Sequence, residues 1–123
     1  MQIPLQVSFR DMDRSAAVEA AVREHTTKLE QYFEHVVACR VMVEARHRHR
    51  RNGNVYHVRI DLSVPGAELV VSRDPGERHS HEDVYVAVRD AFDAMERKLE
   101  EHARKIRGQI KRHEPRKTRG IAG

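Results

Sequence analysis

The middle of the chain is divided by two turn dipeptides, Asn52-Gly53 and Pro65-Gly66, and this division constrains the fold most strongly. Asn-Gly is a strong signal for a tight β-hairpin, and Pro-Gly favours a reversal of chain direction. On both sides of each turn, apolar and polar residues alternate with the two-residue period of a half-buried strand. We therefore predict three consecutive antiparallel strands at about residues 37–45, 55–64 and 67–73.

A strand and a helix precede this hairpin region. Residues 2–9 alternate in the same way, and Pro4 indicates that their strand lies at an edge of the sheet. Ser15 can cap a helix that runs to about Phe33. The apolar stripe of this helix passes through Val18, Val22, Leu29 and Phe33, with His25 or Thr26 completing the turn between them.

The C-terminal third is predicted to form one long helix. Ser80, with Asp83 three residues later, has the spacing of a capping box. The apolar stripe that follows runs from Val84 to Ile110 over about 45 Å, which is longer than the strands, so the last turns should project past the sheet. The resulting order is β-α-β-β-β-α, an α+β fold with a four-stranded sheet and two helices packed side by side on one face.

Positive charge is concentrated at the C-terminal end of the chain. The net charge is +4, but residues 104–123 hold eight Lys or Arg and one acid, which gives +7 and leaves −3 for residues 1–103. We predict a folded domain over residues 1–113 and a basic, disordered tail over residues 114–123. This asymmetry favours an anionic partner, and nucleic acid is favoured over a lipid surface.

Neither a membrane span nor a secretory signal is predicted. No apolar run approaches the roughly 18 residues that span a bilayer, and the residues after Met1 do not resemble a signal peptide. The single cysteine, Cys39, cannot form an intramolecular disulfide, which fits a reducing cytoplasm. We expect a cytoplasmic protein without a membrane partner.

Three basic doublets recur every seven residues along the predicted C-terminal helix: Arg97-Lys98, Arg104-Lys105 and Lys111-Arg112. Seven residues are close to two helical turns, so the doublets stack on one side and form a charge ladder suited to a polyanion. The alternative is a solvated face with ion pairs such as that between Glu101 and Lys105. Lys105, Arg107, Lys111 and Arg112 have few acidic neighbours, so we expect them to contribute more RNA affinity than Arg97 and Lys98.

The predicted loop between the second and third strands is a second basic cluster. It contains Arg46, Arg48, Arg50 and Arg51 beside the Asn-Gly turn. Arginines on a flexible turn could follow a phosphate backbone, and we expect Arg48, Arg50 and Arg51 to contact RNA. The alternative is a solvated hairpin end whose charge discourages edge pairing.

Two His-X-His pairs, His47 with His49 and His79 with His81, raise the possibility of a metal site. Antiparallel pairing would bring both pairs to one end of the sheet, where a zinc or nickel site is geometrically possible. Solvated loop histidines are the favoured interpretation, and we expect no resident metal or cofactor. An enzyme is also not expected, because the chain has no nucleophile motif and no glycine-rich phosphate loop.

Three segments resemble the ribosome hibernation-promoting factor and ribosome-associated inhibitor A family. They are residues 28–33 (KLEQYF), residues 82–88 (EDVYVAV) and residues 95–99 (MERKL). The resemblance covers about residues 1–112, and the family has the strand and helix order predicted above. It implies a bacterial, cytoplasmic, non-enzymatic factor that binds 16S rRNA of the small ribosomal subunit between head and body. Such factors overlap the mRNA and tRNA sites and silence translation under stress or in stationary phase.

The resemblance also implies which residues contact RNA. The basic positions on the two helices are Lys28, Arg97 and Lys98, with Arg104, Lys105 and Arg107 following in register. The chain departs from the family pattern at Ala94 and Glu101, where basic residues are common. We expect Arg89, Lys111 and Arg112 to compensate.

The chain resembles the short class of the family, which lacks a C-terminal dimerisation domain. Its last residues are basic where some short members are acidic, so promotion and blocking of ribosome pairing both stay open. Two other functions stay open as well. One is a general module for structured RNA, and the other is a histidine-rich, metal-binding stress protein.

Overall fold

A computed structural model describes residues 4–47, 54–73 and 83–122, with side chains described over 4–46, 55–72 and 83–108. The chain forms four strands and two helices in the order β-α-β-β-β-α. The elements are β1 (Leu5–Arg10), α1 (Ala16–Tyr32), β2 (Ala38–His47), β3 (Asn54–Val64), β4 (Ala67–Arg73) and α2 (Val84–Ala122). The predicted α+β class and topology are confirmed.

The four strands form one sheet in the order β1-β2-β3-β4. β1 pairs with β2 in parallel, and the other two pairs are antiparallel, as the turn signals predict. β1 is an edge strand, which fits Pro4 just before it. Pro65 and Gly66 connect β3 to β4 as a two-residue turn, and Gly66 has a φ of +78° that side-chain-bearing residues rarely adopt.

The core lies between one face of the sheet and the two helices. Val41, Val58, Ile60 and Leu62 from the central strands are buried against Met95 of α2. α2 packs on β3 and β4, and α1 packs on β1 and α2, so both helices cover the same face. The opposite face is polar, with exposed Arg40 and Arg59 among its residues.

Helix α1 begins and ends as its sequence predicts. The Ser15 hydroxyl accepts a hydrogen bond from the backbone N–H of Val18 at 3.2 Å, which is an N-cap. Thr26 completes the apolar stripe, since it is 2% exposed and its hydroxyl donates to the Val22 carbonyl at 2.9 Å. His25 also faces inward, but towards α2.

Helix α2 differs from its prediction at both ends. Its cap is Asp83 itself, whose carboxylate accepts from the backbone N–H of Tyr85 at 2.9 Å, whereas the predicted cap Ser80 lies outside the described residues. The helix then continues through Pro115 to Ala122, beyond the predicted end near residue 113. A proline inside a helix removes one backbone hydrogen bond, and α2 includes Pro115 all the same. The division into a domain of residues 1–113 and a tail of residues 114–123 stays a prediction.

Candidate nucleic-acid interface

The helical side of the molecule carries most of the cations that the sequence predicts to bind RNA. Their side chains are exposed: Lys28 on α1, and Arg89, Arg97, Lys98, Arg104, Lys105 and Arg107 on α2. An exposed lysine or arginine on a rigid helix can contact phosphate without the cost of burying its charge. The structure therefore places these residues on the two helices that cover one face of the sheet.

The other predicted site residues are only partly described. Lys111 and Arg112 lie in α2 and His47 lies in β2, but their side chains are outside the described part. Outside the described residues lie Arg48, Arg50, Arg51, His49, His79 and His81. Their predicted roles stay predictions.

Around the axis of α2, the cations point in three directions. With Met95 at the centre of the buried side, a rotation of 100° per residue places Arg89 and Arg107 on the side towards α1. Arg97 and Arg104 point away from the sheet, whereas Lys98 and Lys105 point towards β4. The doublets Arg97-Lys98 and Arg104-Lys105 therefore do not form a single ladder, because each of these two divides its charges between two directions.

Lys98 has a structural contact that the sequence does not predict. Its ammonium group donates a hydrogen bond to the backbone carbonyl of Val70 at 2.6 Å. Val70 belongs to β4, an edge strand of the sheet, so Lys98 links α2 to this edge through one backbone carbonyl. Binding of Lys98 to a phosphate would require this hydrogen bond to be broken or shared.

A cavity of about 390 Å³ lies between α1 and α2. On α1, Lys28 and Tyr32 are four residues apart and so share a face. On α2, Arg89 and Asp93 have the same spacing. The cavity is lined by His25, Lys28, Leu29, Tyr32, Arg89, Phe92, Asp93 and Glu96.

One wall of this cavity is aromatic. The His25 ring stacks on the Phe92 ring with centroids 5.2 Å apart and planes inclined by 15°. Burial lowers the pKa of His25 below its usual 6.5, and the positive charge of Lys28 lowers it further. Asp93, Glu24 and Arg89 exert smaller effects of both signs. The His25 ring is thus predominantly neutral at pH 7.

Two exposed cations on the open face of the sheet are paired with carboxylates. Arg40 contacts Glu68 at 3.0 Å, and the Arg59 guanidinium donates two hydrogen bonds to Asp61, both at 3.2 Å. Such pairs on a solvated surface contribute little to stability, but they reduce the positive potential of this face. The helical side has a longer pair of this kind, between Arg89 and Asp90 at 3.5 Å, and it is the stronger candidate for binding a polyanion because most of the predicted cations lie there.

Metal ligands and reactive thiols do not cluster in the described part of the chain. Among its residues, no group of three or more His, Cys, Asp or Glu side chains is placed to hold a metal ion. Cys39 is buried in β2, and burial raises the pKa of its thiol to about 11, so it is a core residue as its alternation predicts. The described helices also include no segment long and apolar enough to cross a bilayer.

Sequence reasoning missed the aromatic and acidic residues of the cavity between the helices. Tyr32 is three residues after buried Leu29, a spacing that usually indicates a core residue, yet it is 72% exposed. Asp93 and Glu96 resemble ordinary solvated acids until α1 is placed opposite them. One feature of the sequence could have indicated Tyr32 as a cavity residue: it lies four residues after Lys28, beside the apolar stripe of α1.

Comparison with known proteins gives a family and a set of similar structures. The model of the family described as Sigma 54 modulation protein / S30EA ribosomal protein matches residues 5–107. A ribosome hibernation promotion factor from Deinococcus radiodurans is 31% identical over 102 residues, covering 80% of this chain. The match spans 48% of that relative, so the chain corresponds to about half its length.

Two solved structures share the fold. A ribosomal subunit interface protein from Coxiella burnetii has a TM-score of 0.68 at 12% identity, over 82% of this chain and 98% of that one. The N-terminal domain of Thermus thermophilus Protein Y has a TM-score of 0.61 at 20% identity, over 83% of this chain and 99% of that one.

Proposed function

Because the chain belongs to the Sigma 54 modulation protein / S30EA ribosomal protein family, we propose that it is a ribosome-associated hibernation factor. In this proposal it binds 16S rRNA of the small ribosomal subunit in the channel used by mRNA and tRNA. It thereby silences translation in the cytoplasm under stress or in stationary phase. It acts by occupying a site, not by catalysing a reaction.

The exposed cations of the helical side are the observation that carries this proposal. They are borne by two packed helices, so their spacing is fixed before RNA is bound and little ordering is needed on binding. Contacts of this kind position a protein on phosphates without reading sequence. Recognition of one RNA surface then depends on the shape of the helical side and on where its charges lie.

Sedimentation through sucrose gradients with purified small and large ribosomal subunits tests the proposal. We expect saturable, one-to-one binding to small subunits, and inhibition of cell-free translation over the same concentration range. Equal affinity for any RNA duplex would instead support a general module for structured RNA. Failure to bind small subunits would contradict the proposed function.

A matched pair of double variants tests which face binds. Lys105→Glu with Arg107→Glu reverses two charges on the helical side, and Arg10→Glu with Arg40→Glu reverses two exposed charges on the sheet face. Both change the net charge by the same amount, so any difference in affinity reports the face used. We expect the helical variant to bind about tenfold more weakly or worse, and the sheet variant to bind within about threefold of the unaltered protein.

A further inference from the structure

We propose that the cavity between α1 and α2 binds one unpaired nucleobase of the RNA, stacked on the ring of Tyr32. This inference rests on the proposed RNA-binding function and adds a site to it. A volume of about 390 Å³ is near the lower end of the roughly 300–1,000 Å³ typical of ligand pockets. The cavity thus suits one planar base rather than a duplex.

Tyr32 provides the stacking surface. Its side chain is 72% exposed, so the ring contributes little to the core and is accessible to a partner. It belongs to the last turn of α1, which places it on a rigid element at the cavity. Bases stack well on exposed aromatic rings, and such stacking is a main source of affinity for unpaired nucleotides.

Lys28 and Arg89 provide the contacts to phosphate. They line the same cavity from opposite helices, and both side chains are exposed. A base lying between the helices would therefore have its own backbone within reach of a cation on either side. Arginine can bind a phosphate through two hydrogen bonds, whereas lysine acts as a point charge.

Asp93 and Glu96 distinguish a base from a phosphate as the occupant. Two carboxylates in the cavity would repel a phosphate, but each can accept a hydrogen bond from the amino group of a base. His25 and Phe92, which stack on each other, also line the cavity and add an aromatic wall that is largely uncharged at neutral pH. The carboxylates therefore favour a base that presents an N–H donor, most readily the exocyclic amino group of guanine, adenine or cytosine.

Three variants of exposed tyrosines test the stacking. Tyr32→Leu removes the ring, Tyr32→Phe retains it, and Tyr85→Leu is the matched control, because Tyr85 is 48% exposed on α2 but does not line the cavity. We expect Tyr32→Leu to weaken binding to small subunits by roughly 5- to 100-fold. The other two should bind within about twofold of the unaltered protein. Unchanged binding by Tyr32→Leu, or an equal loss in Tyr32→Phe, would overturn the stacking.

The direction in which affinity changes when a carboxylate is removed distinguishes a bound base from a bound phosphate. Removing a carboxylate next to a phosphate contact should strengthen binding, whereas removing an acceptor of a base amino group should weaken it. We expect Asp93→Ala to bind small subunits at least about threefold more weakly. The control Glu101→Ala, an exposed acid of α2 outside the cavity, should bind equally or more tightly. Tighter binding by Asp93→Ala would contradict the base site.

Different results would contradict the proposed function and the proposed base site. If the unaltered protein does not bind small subunits, the proposed function and the base site both fall. If it binds but Tyr32→Leu binds equally well, only the base site is wrong. Equal melting temperatures of the variants, measured by circular dichroism, establish that the differences do not come from unfolding.

Discussion

His25 illustrates how the packing of two helices changes the properties of one residue. On α1 alone it would be an ordinary surface histidine, but in the fold its ring stacks on Phe92 of α2. This contact removes water from the ring and disfavours its charged form, which lowers the pKa. A histidine with a lowered pKa makes the stability of the fold depend on pH.

We predict that the fold loses stability as the pH falls below about 6.5, in part through His25. Because the pKa of His25 is lower in the folded state, the unfolded chain binds more protons between the two pKa values. The contribution is fully present above the unfolded pKa and is lost as the pH falls through the folded pKa. Urea unfolding at about pH 7.5 and pH 5.5 measures the loss.

The control for this prediction is His25→Phe. Phenylalanine retains a ring against Phe92 but cannot take up a proton, so this variant should lose less unfolding free energy between the two pH values. The chain has nine histidines, and those other than His25 are common to both proteins. An equal loss in both would show that His25 is not responsible.

Tyr32 marks the limit of sequence reasoning at the residue scale. Helical spacing identifies the buried stripe of α1, but it cannot distinguish a flanking aromatic that is covered from one that is left exposed. That outcome depends on where α2 lies, which is set by the whole core. Exposed Asp93 and half-buried Glu96 come to line one cavity for the same reason, because α1 packs opposite them.

At the scale of elements, α2 serves both the fold and the candidate interface. Its buried side, with Met95 and Leu99, completes the core, and its remaining surface carries the cations. The sequence predicts the helix and its buried stripe through Val88, Phe92, Met95 and Leu99, whereas Ile106, further along the predicted stripe, is 40% exposed. It does not predict that Lys98 turns to the edge of β4, because that depends on the distance between the helix and the sheet.

We predict opposite effects for two lysines on the same side of α2. Lys98→Met removes the hydrogen bond to the Val70 carbonyl and should lower the free energy of unfolding by about 0.5–1 kcal/mol, with a small effect on RNA affinity. Lys105→Met should leave stability nearly unchanged and weaken RNA binding more. Chemical unfolding and subunit binding measure the two quantities. A larger loss of RNA affinity in Lys98→Met would contradict the ranking of these cations.

At the scale of the whole molecule, the topology follows from local signals. Two turn dipeptides, the alternation of four strands and two apolar stripes predict the antiparallel pairing of β2, β3 and β4 and the covered face. The preference for right-handed crossovers adds the parallel pairing of β1 with β2. These signals suffice because each is local and all agree. The cavity between the helices could not be predicted, since it depends on how far apart α1 and α2 pack.

We predict that RNA binding depends strongly on salt and that the dependence comes from the helical side. Each phosphate contact contributes a slope of roughly 0.7–0.9 in a plot of log affinity against log salt concentration. Changing both Lys105 and Arg107 to methionine should therefore reduce the slope by about 1.4–1.8. Changing Arg10 and Arg40 to methionine should leave it unchanged. Equal reductions in the two variants would mean that both faces contact phosphates.

The ion pairs on the open face of the sheet limit how many RNA surfaces one protein molecule can bind. In the part of the chain that the structure describes, Arg40 and Arg59 are held by Glu68 and Asp61 and Arg10 adds one exposed charge, whereas the exposed cations of the helices lie on the other side of the sheet. A protein charged mainly on one side should coat an RNA surface and crosslink two of them poorly. Adding it in excess to RNA should give soluble complexes of fixed stoichiometry instead of a precipitating network.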